Sequence, residues 1–243
     1  QVYVVKEQEL PDGEFPTVSY PNPEADEAFE LGLKLAKEVD ADLVLATDPD
    51  ADRLGVRVKD KNGEYHTLTG NMSGCLLADY ELGQRKAVNG SLPQDGAMIS
   101  TIVTTNMAAA IAKYYGVKLG FETSGVGSYL FGFEESYGCL IGTHARDKDA
   151  IVATMALCEA AAYYKTKDMT LWDAMIEMYE RYGYYKDDIQ SITLKGIEGL
   201  AQIQTILENL RKNPPAEIGG YKVLSARDYK ADTIVDMETK EVK

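Results

Sequence analysis

The sequence lacks the residues that build several common kinds of site. Its three cysteines, Cys75, Cys139 and Cys158, stand far apart, with no Cys-x-x-Cys and no Cys/His cluster. A disulfide framework is therefore excluded and a zinc centre fits poorly. Cysteine usage of this kind fits a reducing, cytoplasmic compartment. No apolar run approaches the ~20 residues that a membrane-spanning helix requires. The first residue is Gln1, with no Met, basic n-region or apolar h-region after it. It reads as a cut point and not as a signal peptide. No Gly-x-x-x-x-Gly-Lys-Ser/Thr loop occurs, which excludes a P-loop nucleotidase. Gly125-Val-Gly127 is too short for a dinucleotide fingerprint, and no Gly-x-Ser-x-Gly elbow is present. No activated nucleophile stands out.

Positive charge is also scarce. Lys plus Arg number 25 against 39 for Asp plus Glu, a net charge of -14. So acidic a surface repels phosphodiester backbones, which excludes a broad nucleic-acid footprint but leaves room for a small anion site. The rest is ordinary globular composition, 45% hydrophobic over 243 residues, enough for one large domain or two of usual size.

Along the chain, residues 2–5 form a short β-branched run that reads as a strand. Residues 24–39 carry Ala28, Leu31, Leu35 and Val39 at helical spacing. Residues 42–46 are a continuous apolar run, as expected of a buried parallel strand. Asp60-Lys-Asn-Gly63 marks a hairpin between strands at 54–58 and 64–69. His66, in the second of these, reads as a surface or packing residue. A helix over 71–86 leads to 90–96, which has linker composition. Strands at 97–103, 117–119, 128–133 and 138–141 follow, with helices at 105–115, 148–165 and 171–182. A strand at 189–194, a helix at 197–213 and a strand at 221–224 end the chain. Asp147 is the expected N-cap of the helix at 148–165. Strands alternating with helices indicate consecutive α/β domains, with mixed, largely parallel sheets and helices on both faces.

Three segments carry chemistry. Asp48, Asp50 and Asp52 alternate directly after the strand at 42–46. In an extended loop, alternate side chains point one way, so the three carboxylates converge. Converging carboxylates repel unless a cation joins them, and an all-oxygen set suits Mg²⁺ or Ca²⁺. The competing reading is a solvated acidic turn. An EF-hand loop is excluded, since it requires Gly where Arg53 stands and Glu where Lys59 stands. Arg53 either orients a carboxylate or meets an anionic substrate. Phe131-Gly-Phe-Glu-Glu-Ser-Tyr-Gly138 is a polar bend between apolar pieces. By spacing alone it reads first as an ordinary turn, although Glu134 and Ser136 also suit vicinal sugar hydroxyls. His144-Ala-Arg-Asp-Lys148 precedes a helix, so Arg146 and Lys148 are either phosphate contacts or surface charge.

Together these segments resemble the α-D-phosphohexomutase superfamily, the phosphoglucomutases and phosphomannomutases. Thr47-Asp-Pro-Asp-Ala-Asp-Arg-Leu-Gly-Val56 is similar to that family's metal-binding loop almost letter for letter. Leu68-Thr-Gly-Asn71 resembles the segment that follows it. Phe131 to Gly138 resembles its sugar-binding loop, in the form nearest to phosphoglucomutases and phosphopentomutases. Arg146-Asp-Lys-Asp-Ala150 resembles the opening of its phosphate-contacting helix.

The resemblance implies four domains around one cleft, of which this chain covers the middle. On that pattern residues 1–95 are the metal-binding second domain, 96–183 the sugar-binding third, and 184–243 the start of the fourth. The family's phosphoserine loop and its final Arg-Pro-Ser-Gly-Thr-like loop are not among these 243 residues. Near Leu119 to Ser124 the chain is shorter than the family, which has a Thr-Gly-Phe-Lys-like loop there. The segment is either truly short or missing residues, and the intact flanking motifs favour the second. By resemblance Asp48, Asp50 and Asp52 hold Mg²⁺, while Arg53, Arg146 and Lys148 serve phosphate. Glu134 and Ser136 bind the sugar. The implied reaction interconverts hexose 1-phosphate and 6-phosphate, through phosphoserine and glucose 1,6-bisphosphate. Phosphopentomutase, phosphomannomutase or a non-catalytic binding module are the alternatives. Without the serine loop, these residues alone are expected to be inactive.

Overall fold

The computed structural model describes residues 1–120, 127–188 and 194–242. The chain divides into two compact units, Gln1–Asp187 and Asp188–Lys243.

The first unit opens with residues 2–4 exposed and unpaired, followed by loops. The β-branched run expected as a strand finds no partner among the described strands, and a strand without a ladder is not stable. A 3₁₀ turn at Asp26–Phe29 leads into α1 (Glu30–Val39), so the α-helix starts six residues after the expected residue 24. It ends at Asp40 in the left-handed region, φ 56°, which a short polar side chain tolerates better than most.

β1 (Leu43–Thr47), β2 (Leu54–Lys59) and β3 (Tyr65–Leu68) form one sheet, antiparallel throughout, with Leu45 opposite Val56 and Val56 opposite Leu68. The expected buried parallel strand is thus a half-buried antiparallel edge, with only Val44 fully inside. The reason is connection length: residues 48–53 are a tight turn, and a parallel neighbour needs a crossover of about a dozen residues or more.

α2 (Gly70–Asn89) is capped by Thr69, whose hydroxyl accepts from the Met72 N–H, and stops at Gly90, φ 77°. The 90–96 stretch leads directly to β4 (Gly96–Ser100). Then come α3 (Met107–Tyr115), β5 (Lys118–Gly120), β6 (Ser128–Phe133), β7 (Cys139–Ile141), α4 (Ala150–Lys165) and α5 (Leu171–Tyr182). The second sheet runs β5-β4-β6-β7, parallel across β5, β4 and β6 and antiparallel at β7. The α/β class with mixed sheets therefore holds, with parallel pairing confined to this sheet.

A smaller cluster of Phe29, Ala36 and Val44 lies between α1 and β1, and the main apolar core of the unit runs from Val56 and Leu68 past Leu76 and Leu82 to Met98, Phe131, Leu157 and Met175. Burying each such side chain contributes about 1.5–3 kcal/mol. Within it, the buried Asp79 of α2 accepts hydrogen bonds from Tyr115 and Tyr182 and pairs with Arg181. It thereby ties α3 and α5 to α2.

The second unit contains α6 (Gly196–Lys212) and two hairpins, β8 (Glu217–Ile218) with β9 (Tyr221–Lys222) and β10 (Ser225–Asp228) with β11 (Thr233–Asp236). Among its described residues only Gly199 is buried. The strand expected at 189–194 falls, apart from Leu194, outside the described residues, as does most of the short segment after Leu119. Among the described residues no helix is long and apolar enough to cross a membrane.

Candidate functional site

The turn between β1 and β2 is organised by its own first aspartate. Asp48 Oδ1 accepts from the backbone N–H groups of Asp52 (3.2 Å) and Arg53 (3.1 Å), and its carbonyl accepts from Ala51 (3.1 Å). Ala51 takes the left-handed conformation, φ 57°. The loop is therefore curled and not extended, and it is the curl that gathers the side chains. Carboxylate oxygens of Asp48, Asp50 and Asp52 lie within 4.8 Å of one another.

Like charges about 4 Å apart repel by roughly 4 kcal/mol at an effective dielectric near 20. Burial, helped by the neighbouring Asp52 and Asp50, raises the Asp48 pKa above its ordinary value, against the Arg53 N–H that lowers it. Two cationic side chains relieve part of the repulsion. Arg53 Nε lies 3.5 Å from Asp48 and 3.7 Å from Asp52, and Lys148 Nζ lies 3.1 Å from Asp52. An all-carboxylate set with convergent oxygens fits a hard divalent cation.

The Glu-Glu-Ser bend, far along the chain, is joined to this turn through the backbone. Gly138 forms a β-bridge with Arg53, and the Leu54 N–H donates to the Tyr137 carbonyl at 3.0 Å. The Ala150 N–H donates to the Ala51 carbonyl at 2.9 Å. The bend closes on itself by a Glu134 N–H to Gly138 carbonyl bond of 2.9 Å. Two glycines make the approach possible. A methyl group at Gly70 would overlap the Glu135 carbonyl oxygen and come within 2.6 Å of the Tyr137 nitrogen. At Gly138 it would overlap the Lys148 stem and lie 2.8 Å from Glu134 Oε1.

Of the residues singled out in the sequence, Asp48, Asp50, Asp52, Arg53, Glu134 and Lys148 form one cluster. Lys148 spans its two halves, with Nζ 3.9 Å from Glu134 as well as on Asp52. Hydrogen bonding by Asp147, then by Asp52, raises the Lys148 pKa against the opposing effect of burial. It stays a cation at any physiological pH. Ser136 is half-buried on the bend, and Arg146 is exposed on the loop before α4.

The helix cap differs from the sequence reading. α4 starts at Ala150, and Asp149, not Asp147, caps it, accepting from the Ile151 and Val152 N–H groups at 2.9 and 3.0 Å. The helix end is thus already served by a carboxylate, which His144 also meets at 3.0 Å. The local signal was present: Asp149 immediately precedes the first helical residue, where a cap belongs. His66 packs, as expected, stacked on Trp172 with centroids 4.2 Å apart.

Sequence reasoning missed Glu24, which pairs with Arg53 Nη1 at 3.1 Å, and Thr101, which donates to Glu135 at 2.8 Å. No spacing signal marks Glu24. For Thr101 the change from apolar to Thr-rich sequence after Ile99 was a signal that the strand ends early.

Fold and cluster together are those of an α/β protein that gathers acidic and basic side chains where two sheets meet. The chain belongs to the phosphoglucomutase/phosphomannomutase family: residues 1–63 match its alpha/beta/alpha domain II and residues 69–182 its alpha/beta/alpha domain III. A phosphoglucomutase of Staphylococcus aureus (strain N315) is 34% identical over 98% of this chain and 45% of its own length. A "Probable phosphomannomutase" of Haemophilus influenzae is 39% identical over 94% of this chain and 47% of its own. The chain thus spans about half the length of the curated relatives it matches. A crystal structure of a phosphoglucomutase/phosphomannomutase family protein from Burkholderia thailandensis aligns with a TM-score of 0.45 and 21% identity, covering 60% of this chain and 31% of that one.

Proposed function

We propose that this chain is the metal- and sugar-binding portion of a phosphoglucomutase-type phosphotransferase that interconverts hexose 1-phosphate and 6-phosphate through a phosphoserine and a bisphosphate. The observation that carries the reading is the backbone junction of Arg53 with Gly138. It sets the Asp48–Asp50–Asp52 turn and the Glu134 bend on either side of one lysine. The reading assigns metal binding to residues 1–95, sugar binding to 96–183, and the opening of a further domain to 184–243.

Asp48, Asp50 and Asp52 would hold Mg²⁺. When bound, the ion supplies positive charge against the phosphoryl group in transfer. Lys148 and Arg53 add fixed positive charge beside it, and the reading adds Arg146, exposed on the loop before α4. Glu134 accepts from sugar hydroxyls and Ser136 donates or accepts, which orients the sugar relative to the phosphate-facing side chains. Phosphoryl transfer requires mainly positioning and charge offset, and this cluster is built for both. The serine nucleophile is not among these residues, so the chain by itself binds and does not turn over.

Titration of the 243-residue chain with glucose, mannose and ribose 1-phosphates in Mg²⁺, beside a coupled assay for glucose 6-phosphate formation, tests the reading. Glucose 1-phosphate should bind most tightly, with no product formed. Preference for mannose or ribose phosphate would move the assignment to another mutase of the family. Product formation would overturn the claim that the chain alone is inactive.

A further inference from the structure

Glu134 and Glu135 are neighbours in sequence but serve opposite sides of the bend. Glu134 faces Lys148. Glu135 Oε2 accepts a 2.8 Å hydrogen bond from Thr101 Oγ1, in the turn that follows β4. That turn is knotted. The Thr101 N–H donates to Thr104 Oγ1 at 3.0 Å, the two hydroxyls lie 2.8 Å apart, and the Thr104 N–H returns to the Thr101 carbonyl at 3.2 Å. The Thr105 N–H, buried, donates to Asn71 Oδ1 of α2 at 3.1 Å.

β4 and β6 are parallel, with Ser100 opposite Phe133. The 101–104 turn and the 134–138 bend therefore leave the sheet side by side, from the carboxyl ends of their strands. That is where open α/β sheets take ligands. At the tip of the turn Ile102 and Val103 are 46% and 56% exposed, and small aliphatic side chains there suit the C–H face of a sugar ring. The turn's own hydroxyls already bond one another, so among the described residues the Thr101–Glu135 bond is what links the turn's side chains to the bend.

We infer that Glu135 is a positioning residue: it contacts no ligand itself, and by holding Thr101 it sets the 101–104 turn as the second wall of the sugar site. The inference rests on the sugar-phosphate reading above and adds a division of labour between the paired glutamates. Glu135 is the latch and Glu134 the sugar contact.

The test uses the 243-residue chain with Glu135→Ala, Glu135→Gln, Thr101→Val and the Glu135→Ala/Thr101→Val double variant. Two quantities are read: amide hydrogen exchange at 101–105, and the calorimetric affinity for glucose 1,6-bisphosphate in Mg²⁺. Loss of one hydrogen bond to a charged group predicts about tenfold faster exchange and about tenfold weaker binding for Glu135→Ala. Mg²⁺ affinity should stay within about twofold, because the carboxylate turn is untouched. Thr101→Val should match Glu135→Ala, the double variant should be no worse than either, and Glu135→Gln, which keeps an acceptor oxygen, should restore most of both. Thr101→Val binding like wild type while Glu135→Ala is weakened would overturn the inference and make Glu135 a direct sugar contact. Additive losses in the double variant would do the same. Unchanged exchange in Glu135→Ala would remove the latch. If the unmodified chain binds no bisphosphate, the sugar-phosphate reading fails, and with it the wall. Exchange at 101–105 would then decide only whether the Glu135–Thr101 bond orders the turn.

Discussion

The two acidic loops of the cluster are built in opposite ways. The Asp48–Arg53 turn is shaped mainly from within: Asp48 binds the backbone of Asp52 and Arg53, a few residues away, and the outside bonds from Ala150 and Gly138 meet a turn already curled. The Glu134–Gly138 bend is held largely from outside, by β2 at Leu54, by the N-terminus of α2 at Gly70, by the Lys148 stem over Gly138, and by Thr101. The turn's shape is encoded where it stands, whereas the bend's shape depends on segments that fold brings to it. Damage to the core should therefore reach the bend before the turn.

The largest expected effect breaks the bend and spares the turn. Gly70→Ala pushes a methyl group into the Glu135 and Tyr137 backbone, which cannot swing aside as a side-chain tip would. Overpacking of this kind costs about 1–3 kcal/mol, measurable as a lowered urea midpoint, with Mg²⁺ affinity retained. A midpoint equal to wild type would show that α2 does not brace the bend.

Asp50→Ala does the reverse. Asp50 is exposed, and it is Asp48 whose carboxylate holds the turn's backbone, so stability should stay within about 0.5 kcal/mol. Mg²⁺ affinity should fall by about tenfold or more, since ligand charge sets the strength of such sites. Asp48→Asn sharpens the contrast, because it removes a charge while keeping an oxygen for the Asp52 and Arg53 N–H groups. Undiminished Mg²⁺ affinity in both variants would refute the metal assignment.

Glu134→Ala comes next, with bisphosphate affinity lowered about threefold to tenfold, as for loss of one or two hydrogen bonds, and Mg²⁺ affinity unchanged. Equal losses of both ligands would make Glu134 a structural brace instead.

The mildest effect is on pH dependence. The folded Asp48 pKa lies above its unfolded value, so the folded state holds the proton more tightly in that window. Without a cation, stability from this group is present at low pH and is lost as pH rises through the folded pKa. A bound cation requires the ionised form, so Mg²⁺ affinity should weaken on acidification from above the ordinary Asp value of about 3.9. Affinity that stays flat down to that value would contradict a raised Asp48 pKa.

The same contrast explains what could be read from sequence. The three aspartates were visible by spacing, although the reason they converge is a left-handed Ala51 and not alternation along an extended loop. Helix α5 was legible to its ends, because Thr170 and Asp173 form a local capping box. β1 was misread as a buried parallel strand because Leu-Val-Leu-Ala composition outweighed the short 48–53 connection, which was the better guide. The partners of the bend were hidden, because Gly70 and Thr101 lie tens of residues from Glu135, and only tertiary structure brings them near: the β4–β6 pairing carries Thr101 there, and the packing of α2 carries Gly70. The hairpins of the second unit are short and largely exposed, so their strands carried little of the apolar alternation that reveals a sheet.

The central claim is that turn and bend form one site for a cation and a sugar phosphate. Calorimetric titration of glucose 1,6-bisphosphate into the chain, with and without saturating Mg²⁺, tests it most directly when repeated on Asp50→Ala. The expected result is tighter bisphosphate binding in Mg²⁺ for the wild type, and loss of that dependence in the variant. Bisphosphate affinity that ignores Mg²⁺ in the wild type, or an Mg²⁺ effect that survives in Asp50→Ala, would contradict it.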